Sequence, residues 1–138
     1  MDTVRSVMTG PVVTLPPDAT VAQAAEQMRI NDIGNVLVAE GGKLFGVITD
    51  RDLVVKAMAL GLDPQRTPLE RVCTQETVTI GPDADVAQAV QLMADNALRR
   101  LPVLADDKIV GILSLGDLAA KRDPDSALGE ISSAPPNN

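Results

Sequence analysis

Apolar and polar positions change period several times along this chain, and each change marks an element. Residues 3–9 suit a short lead-in helix or turn. Val12-Val13-Thr14-Leu15 is a β-type run that Pro16-Pro17 must stop, because proline has no N–H to give to a ladder. From Thr20 the period is helical: Val21, Ala24, Ala25 and Met28 fall at i, i+3, i+4 and i+7, and Thr20 with Gln23 forms a capping box. Val36-Leu37-Val38-Ala39 and Lys43-Leu44-Phe45-Gly46-Val47-Ile48 read as two strands around Glu40-Gly41-Gly42, a tip that accepts the positive φ angles of a tight hairpin. A helix then runs from Asp50 to about Leu60 and ends at Gly61, a residue suited to the left-handed C′ position.

After a linker containing Pro64, Thr67-Pro68-Leu69-Glu70 starts a short helix through a second capping box with proline at N1, and the pattern begins again. Pro17-Asp18-Ala19-Thr20-Val21-Ala22-Gln23-Ala24 is matched by Pro82-Asp83-Ala84-Asp85-Val86-Ala87-Gln88-Ala89, at 82 − 17 = 65. The same offset joins Met28 to Met93, Lys43 to Lys108, Leu53 to Leu118 and Val13-Thr14 to Val78-Thr79, and Val86, Ala89, Val90 and Met93 repeat the apolar helix face. Asp106-Asp107 replaces Gly41-Gly42 without changing the loop length, so register is kept. The chain is an internal duplication, with repeat 1 and its lead-in over 1–61, a linker over 62–71 and repeat 2 over 72–122. Residues 123–138, rich in Ser, Pro and Asn, have little to bury and read as a flexible tail.

The core predicted for these elements is aliphatic. Of 138 residues 45% are apolar, yet Phe45 is the only aromatic, so there is no ring to stack on a base. A net charge of −7 opposes nucleic acid or an anionic membrane surface as main partner. Histidine is absent, which removes the usual general base and the commonest metal ligand. Cys73 stands alone, without a disulfide framework or zinc motif, and its neighbours place it on a helix as a structural thiol. No apolar run is long enough for a signal peptide or a membrane span, and a cytoplasmic location is expected.

The candidate chemistry lies where each hairpin runs into a helix, at Gly46-Val47-Ile48-Thr49-Asp50-Arg51-Asp52 and Gly111-Ile112-Leu113-Ser114-Leu115-Gly116-Asp117. Unpaired N–H groups and the positive end of the helix dipole suit an anion there. Thr49 with Asp52, and Ser114 with Asp117, are equally capping boxes. The repeats differ in their cations. Arg51 stands where Gly116 stands in repeat 2, and Arg99-Arg100 stands where Gly34-Asn35 stands in repeat 1. A guanidinium at a helix start opposes the dipole, and a phosphate beside it would give it a use.

Gly-h-h-[Thr/Ser]-x-x-Asp closing each hairpin, the duplicated Pro-Asp-Ala-x-Val-Ala-Gln-Ala helix starts, Val7-Met8-Thr9, Asp32-Ile33-Gly34 and Arg100-Leu101-Pro102-Val103 together resemble the cystathionine β-synthase (CBS) domain pair, or Bateman module, over residues 4–121. The resemblance implies an α/β (α+β) fold of two β-α-β-β-α repeats related by a pseudo-twofold axis, with clefts between their sheets, and often a homodimer. It implies a regulatory adenine nucleotide (AMP, ADP, ATP) or S-adenosylmethionine as ligand and no obligatory cofactor. Thr49, Asp52, Ser114 and Asp117 would then face ribose and phosphate, with Arg51, Arg100 and Arg99 on phosphate. Backbone groups near Asn35, Arg100, Thr14 and Thr79 would meet the adenine. A stand-alone pair of this length also resembles small bacterial stress- and hypoxia-response CBS proteins. The competing class is a ligand-free interaction dimer that docks a protein partner. An enzyme comes third, because no nucleophile–base pair or metal cluster is present in the sequence.

Overall fold

The structure is a computed structural model, and it describes residues 2–10, 12–75 and 78–122. The chain divides into two compact units, and they do not follow chain order. One is Val12–Thr77; the other joins Met1–Pro11 to the chain from Val78 onward.

The Val12–Thr77 unit contains β1 (Thr14–Leu15), α2 (Val21–Asn31), β2 (Asn35–Glu40), β3 (Lys43–Thr49), α3 (Asp50–Asp52) and α4 (Leu69–Val72); α1 (Val4–Val7) belongs to the other unit. Its sheet has the order β1-β2-β3, with β1 parallel to β2 and β2 antiparallel to β3. Gly41 and Gly42, with φ of 62° and 83°, make the two-residue hairpin turn expected for them. The Thr20–Gln23 capping box is present at the start of α2. Its buried stripe is narrower than the sequence suggests: Val21, Ala24 and Met28 are buried, whereas Ala25 faces solvent.

Helix α3 continues as a π-helical segment over Leu53–Met58, in which the Ala59 N–H donates to the Val54 carbonyl at 2.8 Å. The sequence predicts an ordinary helix there. Residues 62–71, read as a linker, are packed into this unit: Leu69 is fully buried, and the backbone N–H groups of Leu69 and Glu70 donate to the carbonyls of Ala19 and Pro17. The second capping box does not form. Pro68 holds an extended ψ of 151° and becomes the N-cap of α4, while the Thr67 hydroxyl donates to the Asp63 carbonyl at 2.7 Å.

The second unit contains α1, α5 (Val86–Asn96), β4 (Arg100–Ala105), β5 (Lys108–Ser114) and α6 (Leu115–Arg122), with β4 and β5 antiparallel. Its counterpart of β1 is a single parallel bridge between Ile80 and Val103. Val86, Ala89 and Met93 are buried and Val90 is exposed, the same departure seen at Ala25. The lead-in belongs here rather than with repeat 1. Val4 and Val7 are buried among Val86, Ala89, Leu101 and Leu113, and the Val4 and Arg5 N–H groups donate to the carbonyls of Ala84 and Pro82. Boundaries at 1–61 and 72–122 group segments by chain order, whereas Val4 and Val7 are buried in the core of the second unit. The tail expected from residue 123 lies outside the described residues.

Both long helices end in a left-handed residue that is not glycine, Asp32 at φ 57° and Ala97 at φ 54°. For alanine this conformation costs roughly 1–2 kcal/mol. Ala97→Gly is therefore expected to stabilise the protein by about 0.5–1 kcal/mol, after the added unfolded-state entropy of glycine is subtracted. A higher urea midpoint with unchanged slope would show it.

Candidate functional site

Each hairpin delivers its last residue straight into a helix. At the first junction the Asp52 N–H donates to Thr49 Oγ1 at 3.0 Å, and the Thr49 N–H donates to Asp52 Oδ2 at 2.9 Å. At the second, the Asp117 N–H donates to Ser114 Oγ at 3.0 Å and the Ser114 N–H to Asp117 Oδ2 at 3.1 Å. Both pairs are thus closed capping boxes, and all four residues are half-buried.

Each carboxylate also has a partner that the repeat pattern did not reveal. Lys56, one turn on in the π-helical segment, places Nζ 3.3 Å from Asp52 Oδ1 and donates to Thr74 Oγ1 at 3.0 Å. In the other unit the Thr9 hydroxyl reaches Asp117 directly, at 3.3 Å from each carboxylate oxygen. Thr9 and Thr74 are themselves related by the repeat offset, 74 − 9 = 65. The offset relates them in the sequence, and packing links each to its junction carboxylate.

The same lead-in segments explain a glycine in each motif. Thr74 pairs with Val47 on β3, and Thr9 pairs with Ile112 on β5. A Cβ on Gly46 would stand 2.6 Å from the Thr74 carbonyl oxygen, and one on Gly111 would stand 2.9 Å from the Thr9 carbonyl oxygen. Glycine is required at these positions for backbone approach.

The cations divide sharply. Arg51 and Arg99 are exposed, and Arg99 contributes its carbonyl to the Leu115 N–H at 2.8 Å. Arg100 lies opposite Ser114 in the β4–β5 register, and its Nη1 is buried without a hydrogen-bond partner. Asn35 lies opposite Thr49 in the matching register position. Thr14 is an exposed residue of β1, and Thr79 is a half-buried residue beside the Ile80 bridge. Within each unit the register thus joins Asn35 to the Thr49–Asp52 junction and Arg100 to the Ser114–Asp117 junction.

Cys73 ends α4 in an extended conformation instead of lying within a helix, and burial pushes its thiol pKa up. A raised folded-state pKa stabilises the fold fully below the unfolded thiol value, near ~8.5, and that contribution is lost as pH rises through the folded value. Alkylation by iodoacetamide at pH 8 is expected to be slower than for an unstructured cysteine and to accelerate on partial unfolding. Among the described residues no group of three or more His, Cys, Asp and Glu could hold a metal ion, and no helix is long and apolar enough to cross a membrane.

The CBS domain family matches residues 4–58 and 69–122, which carry both junctions. This chain is a CBS domain protein. The CBS domain-containing protein YhcV of Bacillus subtilis is 38% identical over 129 residues, covering 94% of this chain and 91% of its own. Hypoxic response protein 1 of Mycobacterium tuberculosis is 31% identical over 120 residues, covering 86% of this chain and 84% of its own. A crystal structure of Hypoxic Response Protein I with two coordinated zinc ions superposes with a TM-score of 0.77 at 30% identity, covering 86% of this chain and 97% of that one. The CBS pair of MJ0100, solved with 5′-methylthioadenosine and S-adenosyl-L-methionine, has a TM-score of 0.79 at 23% identity, covering 91% of this chain and 98% of that one. Its likeness to this CBS pair is one of fold.

Proposed function

We propose that this CBS pair is a non-catalytic regulatory module of the cytoplasm that binds an adenine nucleotide or S-adenosylmethionine at its hairpin–helix junctions and serves as a metabolic or stress sensor. The observation that carries this reading is Arg100, whose buried Nη1 lacks a partner across the ladder from Ser114. A buried guanidinium nitrogen without an acceptor is costly, and a phosphate oxygen is an acceptor matched to it in charge and geometry. Further support comes from the half-buried carboxylates Asp52 and Asp117, which suit a ribose diol. That this fold can hold adenosine compounds is seen in MJ0100.

The test is thermal unfolding of the whole chain with AMP, ADP, ATP, S-adenosylmethionine and NAD, with GMP as control. A ligand at 100 times its Kd adds about 2.7 kcal/mol, which for a chain of this length raises the midpoint by roughly 10 °C. Phosphate recognition by Arg100 predicts that the nucleotides outrank S-adenosylmethionine. The closed capping boxes at Thr49–Asp52 and Ser114–Asp117 favour the second reading, a ligand-free dimer that docks a protein partner. A flat response to every compound, on protein free of bound nucleotide, would select it.

In both readings the chain is a homodimer. Val54, Val55, Met58 and Leu60 crowd one helix and its end at 52%, 47%, 73% and 71% exposure. A second copy presenting the same patch covers both by twofold symmetry. Met58→Asp is expected to shift the protein to monomer in sedimentation equilibrium.

A further inference from the structure

We propose that the lead-in threonines compete with ligand for the junction carboxylates, so that occupying a junction loosens the strand pairing that seats its lead-in. This rests on the nucleotide-binding reading above and adds its regulation. Thr9 is hydrogen-bonded through its side chain to both oxygens of Asp117 and through its backbone to Ile112, with N–H to carbonyl distances of 2.8 and 2.9 Å. Thr74 holds the equivalent place in the other unit. Its backbone exchanges two hydrogen bonds with Val47 at 2.8 and 3.0 Å, and its hydroxyl accepts from Lys56, which also faces Asp52.

The same tether therefore occurs twice with different chemistry, a direct hydroxyl in one unit and a lysine bridge in the other. A ribose diol needs the oxygens that these tethers use. When it donates to both oxygens of Asp117 it competes for their lone pairs with the Thr9 hydroxyl, and at Oδ2 with the Ser114 N–H as well. When it takes Asp52 Oδ1, the ammonium of Lys56 loses its place between carboxylate and threonine. Thr9 leads into the chain toward Pro11, and Thr74 stands three residues before Thr77, so both tethers act on the segments that leave one unit for the other.

Thr9→Val and Thr74→Val keep a β-branched residue and remove only the hydroxyl. Amide hydrogen exchange on the full chain without ligand should quicken about two- to fivefold at Thr9 and Ile112 in the first variant and at Val47 and Thr74 in the second, the range expected for exposed polar tethers. Thr9→Ser, which keeps the hydroxyl, should exchange like the parent. By reciprocity each valine variant should also bind ATP or AMP more tightly by a similar factor, and nucleotide should quicken exchange at these amides in the parent chain. Unchanged exchange in both valine variants overturns the tether. Nucleotide binding whose affinity is the same in parent and variants overturns the competition while leaving the nucleotide-binding reading intact. Failure of ATP and AMP to bind overturns that reading and the competition with it, and the exchange of the ligand-free variants still decides the tether.

Discussion

Gly46→Ala is expected to cost about 2–5 kcal/mol of stability, although alanine in a strand would ordinarily gain up to ~1 kcal/mol over glycine. The added Cβ would lie 2.6 Å from the Thr74 carbonyl oxygen, 3.3 Å from its carbon and 3.0 Å from the Cys73 sulfur. The oxygen and carbon are backbone, so they cannot swing aside as a side chain can. Either β3 or the segment after α4 must move. Overpacking of this kind costs roughly 1–3 kcal/mol, and the two Val47–Thr74 hydrogen bonds, at about 0.5–1.5 kcal/mol each, are lost with it. The sum is a large share of the ~5–15 kcal/mol that holds an ordinary domain together. Urea unfolding should show a clearly lower midpoint, with rapid exchange at Val47 and Thr74. Gly111→Ala should be milder, because one of its close neighbours is the flexible sulfur of Met8, at 2.8 Å. A Gly46→Ala protein within ~0.5 kcal/mol of the parent would mean that the segment at Thr74 does not seat on β3.

Asp52→Ala is expected to remove nucleotide binding at the first junction and with it that junction's share of the roughly 10 °C thermal gain expected from a ligand at 100 times its Kd, leaving the share of the Ser114–Asp117 junction beside Arg100. The substitution has a structural cost as well. Asp52 accepts from the Thr49 N–H and pairs with Lys56, so losing it takes away a cap worth about 1 kcal/mol and an ion pair worth ~0.2–1 kcal/mol. A fall of about 4–7 °C in the ligand-free midpoint follows. Ligand binding and stability thus move by separable amounts in one titration series. Any response left in Asp52→Ala reports the Ser114–Asp117 junction, and Asp117→Ala should remove it. A variant that loses the stability but keeps the full ligand response would reduce Asp52 to a cap.

The two hairpins, the Thr20 capping box, the helices after each hairpin and the caps at Thr49 and Ser114 were all legible, because each is decided by residues within a few positions of one another. Less legible was what long-range burial decides. Val4 and Val7 announce an apolar face, but nothing in their neighbourhood says that the core of the second unit covers it. Thr67 and Pro68 satisfy a capping rule locally, yet the Asp63 carbonyl takes the hydroxyl. The π-helical turns of Leu53–Met58 have no residue signature at all. At the candidate site, spacing predicted the Thr49–Asp52 and Ser114–Asp117 capping boxes that form, and register sets Asn35 and Arg100 opposite Thr49 and Ser114. Lys56 and Thr9 were missed. Their signal was present in the offset that relates Thr9 to Thr74, but it pointed to a partner only through the glycines at 46 and 111 that admit the backbone.

The unit that combines Met1–Pro11 with the chain beyond Val78 has a consequence for synthesis. On the ribosome the Val12–Thr77 unit can close as soon as its own residues have emerged. The Val4 N–H and the Ala84 carbonyl that accepts from it are made about 80 residues apart, so at ~5–20 residues per second the earlier of the two segments waits roughly 4–16 s for its acceptor. During that interval Val4 and Val7, both destined for burial, stand open to whatever binds short apolar segments on nascent chains. Val4 and Val7 thus find their place only after residues made much later than themselves.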